Sequence, residues 1–186
     1  MGGRVGINLA NESWDPDPSA NASGFSLGIH TGLIAGAQFD NWFNGDWALS
    51  VQLLYDQKGT TETVPGGSGN FDLGYLEIPI FVKAALATGS VRPYLFAGPS
   101  IGLLLSASVV ANGQTTDLKS DYNSVDFSIV GGAGVAFDVS AGTMVFFDAG
   151  YALGLTDIDK NSDGTDSNPA VKSRDIRIAA GVMFPL

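Results

Sequence analysis

Two groups of residues in this chain have the types and spacing to do chemistry: a short acidic loop, and a set of charges at alternating positions. Residues 157–166 read DIDKNSDGTD. Asp159, Asn161, Asp163 and Gly164 reproduce D-x-N-x-D-G, the first half of a calcium loop. Alternating short oxygen ligands followed by a glycine turn can wrap a hard cation. Asp166 adds a carboxylate in a different geometry, but Ala170 stands where the bidentate glutamate belongs. Calcium is the one cofactor the sequence suggests. With the ligand set incomplete, a solvated acidic loop accounts for the same residues, and no other cofactor is expected.

His30 is the sole histidine. Ser26 precedes it by four residues, about 13 Å along an extended strand, which is too far for a hydrogen bond. A serine–histidine–carboxylate hydrolase needs those groups in contact. The glycines recur at strand spacing with no strand-to-helix switch, so they form no phosphate loop. The sequence assigns no catalytic residue, and the expectation is a protein that is not an enzyme.

The second group is Arg4, Asp56, Lys58, Glu77, Lys83, Asp126, Asp148, Asp175 and Arg177. Each lies on the small or polar side of an alternating segment. The clearest such segment is FSLGIHTGLIAGAQFD at 25–40. Phe25, Leu27, Ile29, Leu33 and Phe39 share one face; Gly28, His30, Gly32, Gly36 and Gln38 share the other. The same period of two recurs at 3–9, 47–58, 73–86, 92–105, 126–139, 143–155 and 175–186, so eight strands are predicted. The apolar run at 95–111 approaches the length of a membrane helix. Gly98, Pro99, Ser100 and Gly102 interrupt it, and its period is that of a strand.

Connection lengths alternate. Long stretches at 10–24, 59–71, 106–125 and 156–174 take turns with short ones at 41–46, 87–91 and 140–142. In an up-and-down sheet the long loops then share one end, and the short turns and both termini share the other. This predicts an all-β fold: an eight-stranded antiparallel up-and-down transmembrane β-barrel with four long outer loops and three short periplasmic turns. Residues 1–186 form a single domain in this reading.

The polar face decides what surrounds such a barrel. A soluble lipocalin-like barrel holding an apolar ligand would show Lys, Glu and Thr to water. Here that face carries Gly, Ser and Ala with sparse charges of both signs, which suits a lumen just wide enough for side chains to fill. Burying an ion costs several kcal/mol unless it is paired. The nine charges are therefore read as one paired lumen network. Strands of this length exceed the roughly 9–11 residues that a tilted crossing needs. Trp42, Phe43 and Trp47 at the first short turn, and Tyr55, Phe71 and Tyr75 near a long loop, suit interfacial girdles.

Composition narrows the partners. The 186 residues carry a net charge of −10, only 15% are charged, and Cys is absent. The acidic balance argues against nucleic acid, whose phosphates need clustered Lys and Arg. Without Cys there are no thiolate metal sites and no disulfides. The expected partners are outer-membrane lipid and a protein met through the long acidic loops. The start, MGGRVGINLA, lacks the basic and apolar regions of a signal peptide. A bacterial outer-membrane location is expected, after removal of a signal peptide not present in this chain.

RVGINLA near the start, LLYDQKG at 53–59, GYLEIPIFVKAA at 74–85, RPYLFAGPSIGLL at 92–104 and GYALGLTDI at 150–158 resemble the PorT-like outer-membrane β-barrel family common in Bacteroidetes and their relatives. The resemblance runs over essentially the whole chain. It implies an eight-stranded outer-membrane barrel. It also implies a link to protein secretion and cell-envelope assembly, with which the founding members are associated, although fold alone does not transfer a role. Such barrels usually end on an aromatic residue, whereas this chain ends Phe184, Pro185, Leu186. The functional expectation is a small non-enzymatic barrel with a filled lumen and a structural or surface-interaction role. The alternatives are a lipid-modifying membrane enzyme and a soluble ligand-binding barrel.

Overall fold

A computed structural model describes residues 1–15, 26–43, 46–64, 67–111, 113–140, 142–161 and 170–185. The strands are β1 (Gly2–Asp15), β2 (Ser26–Phe43), β3 (Trp47–Val64), β4 (Gly67–Ala85), β5 (Val91–Ala111), β6 (Gln114–Asp117), β7 (Val125–Ser140), β8 (Thr143–Gly154) and β9 (Ala170–Met183). Every neighbouring pair is antiparallel. The order runs β4-β3-β2-β1-β9-β8-β7-β5, and β4 pairs with β5 to close the ring. Closure pairs each wall strand on both sides, the condition for crossing lipid with strands. The wall therefore has eight strands. The short β6 adds only to the outer end of β5, where residues 114–117 fold back on 108–111.

Alternation sets the two faces. Trp47, Leu49, Val51, Leu53 and Tyr55 are exposed along β3, while Ala48, Ser50, Gln52, Leu54, Asp56 and Lys58 between them are buried. On β4, Ile78, Ile80 and Val82 face out, and Glu77, Phe81 and Lys83 face in. The apolar run at 95–111 lies within β5 as strand, not helix. The exposed apolar side chains form a belt around the barrel, and the polar core is inside it.

Inside, small residues stand where rings need room. A Cβ at Gly132 would lie 2.6 Å from the Phe96 ring, and one at Gly134 would lie 2.6 Å from the Tyr94 hydroxyl. The glycine-rich face is thus the complement of the aromatic one, as a lumen this narrow requires.

The structure departs from the sequence reading in strand length, at His30 and at two aromatic side chains. Strand extends into the stretches predicted as long connections, over 10–15, 106–111, 114–117 and 170–174. The stretch at 59–71 is mostly strand, because β3 runs to Val64 and β4 begins at Gly67. Once paired, the threonine-rich run extends the ladder (Thr60↔Phe71, Thr61↔Asn70), as β-branched residues favour. His30, on the lumen face by alternation, instead lies 3.2 Å from Asp72 on the outer wall, where the β2–β3 register shifts between Ile29 and Ile34. Tyr75 is fully buried, and Trp42 packs against the lumen cluster. Neither joins a girdle: Tyr75 has the parity of Glu77, Trp42 that of Gln38, and parity outranks closeness to the rim.

Candidate functional site

The nine charged residues are all buried, and they divide between two groups along the barrel axis. The group nearer the long connections draws on β3, β4, β7 and β9. Lys58 Nζ lies 2.6 Å from Glu77 Oε1, 3.0 Å from Asp126 Oδ2 and 3.5 Å from Asp175 Oδ2. Arg177 contacts Glu77 Oε2 at 2.7 Å, Asp56 Oδ2 at 3.1 Å and Asp175 Oδ2 at 3.2 Å. Glu77 therefore bridges both cations. Neutral donors add to the shell. Asn8 Nδ2 donates to Asp56 Oδ1 at 2.8 Å, and the Thr156 and Ser173 hydroxyls donate to Asp126 at 2.9 and 3.0 Å. Four carboxylates (Asp56, Glu77, Asp126, Asp175) share two cations, an excess of two negative charges when all are ionised.

The second group, nearer the short turns, is balanced. Arg4 Nη2 lies 2.7 Å from Asp148 Oδ1, and its Nη1 donates to Gln38 Oε1 at 3.1 Å and to Gln52 Oε1 at 3.0 Å. Tyr94 Oη donates to Asp148 Oδ2 at 3.1 Å. Lys83 Nζ lies 2.7 Å from Asp40 Oδ2 and 5.1 Å from the Tyr94 ring centre.

Several of these partners were not in the sequence-derived set: Asn8, Gln38, Asp40, Gln52, Tyr94, Thr156 and Ser173. All but Thr156, which lies beyond the end of β8, sit on the inward parity of their strands, so their direction was legible. Their partners were not.

Ile34, Leu54, Phe81, Phe96 and Val130 separate the two groups, and the cavity left among them is about 10 Å³. That holds one water at most. Leu73, Tyr75, Leu104, Ala107, Ile158 and Val171 form a second apolar layer toward the long connections. Ile158, from the connection after β8, is held there by a backbone bond from its N–H to Val171 O at 2.9 Å.

In the acidic loop, Asp163 and Asp166 lie outside the described residues. Asp159 Oδ1 accepts the Asn161 N–H at 2.8 Å, and Asp157 Oδ1 accepts those of Asp159 and Val171 at 3.1 and 3.0 Å. These carboxylates shape the loop backbone. Among the described residues no cluster of three or more His, Asp or Glu side chains is arranged to hold a metal. His30 Nε2 lies 3.2 Å from Asp72 Oδ1, on the long-connection side of the barrel and away from both ionic groups.

Solved structures with this architecture include two that superpose over nearly the whole chain. Neisserial surface protein A superposes with a TM-score of 0.57 at 17% identity, over 97% of this chain and 94% of that one. The outer membrane protein OprG of Pseudomonas aeruginosa superposes with a TM-score of 0.55 at 12% identity, over 98% and 93%. At such identities they speak for the fold alone. No curated protein sequence matches the chain significantly. A family profile described as "Outer membrane protein beta-barrel domain" does, over residues 1–160. With that match, a closed eight-stranded ring and an apolar outer belt, the chain belongs to the outer membrane protein beta-barrel domain family.

Proposed function

We propose that this barrel acts as a non-enzymatic structural and surface-interaction protein of the bacterial outer membrane, with a filled lumen that passes no solute. The observation that carries the reading is the layer of Ile34, Leu54, Phe81, Phe96 and Val130, which leaves about 10 Å³ between two ionic groups. A wide aqueous pore needs far more strands. The partner surface in this reading is the rim built by the β3–β4 hairpin, which continues past the apolar belt to Val64 and Gly67, together with the acidic long connections. The PorT-like resemblance supports a place beside a secretion or envelope-assembly complex, with outer-membrane lipid around the wall and no calcium required.

The test pairs two measurements. Proteoliposomes should show no flux of small sugars. In mild detergent, the wild-type barrel should carry a protein partner that is lost when residues 61–70 are replaced by a two-residue turn. Sugar flux, or a wild-type barrel that always purifies alone, would overturn the reading.

A further inference from the structure

A polar alcove interrupts the outer wall just beyond the apolar belt, on strands β2 to β5. Registers define its rows. Tyr55, Leu76 and Leu103 lie side by side on the outward face, and the next outward row is Gln57, Gly74 and Ser106. The row after that is Gly59, Asp72 and Ser108. The wall thus changes from apolar to polar in a single step. Two of the polar positions are glycine, so the surface is recessed there. Gly59 also has φ of 142°, in the region that favours glycine. The β2–β3 ladder breaks at the same level, between Ile29 and Ile34. Gln57 Oε1 accepts the Leu33 N–H that this break frees, at 3.1 Å. The result is a cavity of about 420 Å³ walled by His30, Tyr55, Gln57, Asp72, Ser106 and Ser108.

We infer that this alcove binds a hydroxyl-rich glycosyl group, presented as the headgroup of a membrane glycolipid. Three observations converge on that chemistry. Serine and tyrosine hydroxyls and the Gln57 amide both donate and accept, as sugar hydroxyls do. Among the described residues no Lys or Arg lines the cavity, so it lacks the charged forks that bind phosphate or sulfate. The carboxylate in its wall, Asp72, is engaged with His30 at 3.2 Å. Position supplies the tail: Leu33, Leu53, Leu103 and Leu105 are exposed directly toward the belt, where an acyl chain would lie against them. An amphiphile with a sugar head meets both surfaces at once.

The test uses the full chain in phosphatidylcholine nanodiscs doped with equal amounts of monogalactosyl diacylglycerol and phosphatidylethanolamine. Native mass spectrometry reads the lipid retained on the ejected barrel. Galactolipid should be enriched at least fivefold over either phospholipid. Enrichment should fall to near unity in Ser106→Phe, which fills the alcove, and in Gln57→Leu, which removes its amide. A heat-modifiability gel verifies that each variant is folded, and either variant alone suffices. Methyl galactoside in the buffer separates the sources: competition means that the sugar suffices, and no competition means that the lipid-borne headgroup is required. Absence of galactolipid enrichment, a preference for phosphatidylethanolamine, or enrichment unchanged in the folded variants would overturn the inference.

Discussion

Lys58 is the most informative single position in the lumen. Its side chain is 1% exposed, and its ammonium lies 2.6, 3.0 and 3.5 Å from Glu77, Asp126 and Asp175. Lys58→Met keeps most of the side-chain volume and removes the charge. The buried excess then grows from two negative charges to three. Breaking a buried pair by deleting one partner costs about 3–5 kcal/mol, because the charge left behind has lost its compensation. The cost here should fall near the lower end, about 3 kcal/mol. Glu77 keeps Arg177 at 2.7 Å, and Asp126 keeps two hydroxyl donors at 2.9 and 3.0 Å. Urea unfolding in lipid vesicles, followed by tryptophan fluorescence, measures it. The paired variant Lys58→Met/Asp126→Asn restores the original excess. The amide that the second change introduces can donate to Ser173, whose hydroxyl accepts as readily as it donates. The double variant should therefore be more stable than the sum of the single changes by about 1 kcal/mol or more. If Lys58→Met stays within about 1 kcal/mol of wild type, or the two changes add without coupling, the charge-compensation argument fails.

Other tests address the wall, the packing, the seal and the loop. Ile80→Lys puts an ammonium in the middle of the apolar belt and should cost about 2–4 kcal/mol in the same unfolding assay; a neutral result would mean that the belt does not face lipid. Gly134→Val should cost about 1–3 kcal/mol by overpacking, since even a Cβ there meets the Tyr94 hydroxyl at 2.6 Å, and Tyr94→Ala in the same chain should recover part of it. Phe81→Ala/Phe96→Ala removes two rings from the sealing layer and should raise ion conductance in planar bilayers above the wild-type baseline; unchanged conductance would place the seal elsewhere. Titration calorimetry with calcium should give wild type no more heat than Asp163→Ala, whereas excess heat in wild type would establish a metal site in the 157–166 loop.

The alternation of residue types was sufficient to place the eight wall strands and the face that most of their side chains take; His30, which alternation puts on the lumen face, instead meets Asp72 in the outer-wall alcove, because the β2–β3 register shifts between Ile29 and Ile34. A strand has a period of two whatever its neighbours, so parity is a local property that short stretches such as 47–58 and 73–86 already contain. Alternating loop lengths added the up-and-down order. Parity also outperformed chemical intuition: read strictly, it puts Tyr75 and Trp42 inside, where position near a turn had suggested a girdle. Three things were not local and needed the closed sheet. Which charge meets which depends on register across the ring: Arg4 meets Asp148 at a separation of 144 residues, and Arg177 meets Glu77 at 100. The outer extension of β3 and β4 depends on each strand supplying the other's hydrogen bonds, which glycine and proline near the tip conceal. The polar alcove depends on Gly59 and Gly74 falling in adjacent outward rows beside a break in the β2–β3 ladder. Each of these is a relation between strands, and one strand's sequence carries its own faces but not its neighbour's register.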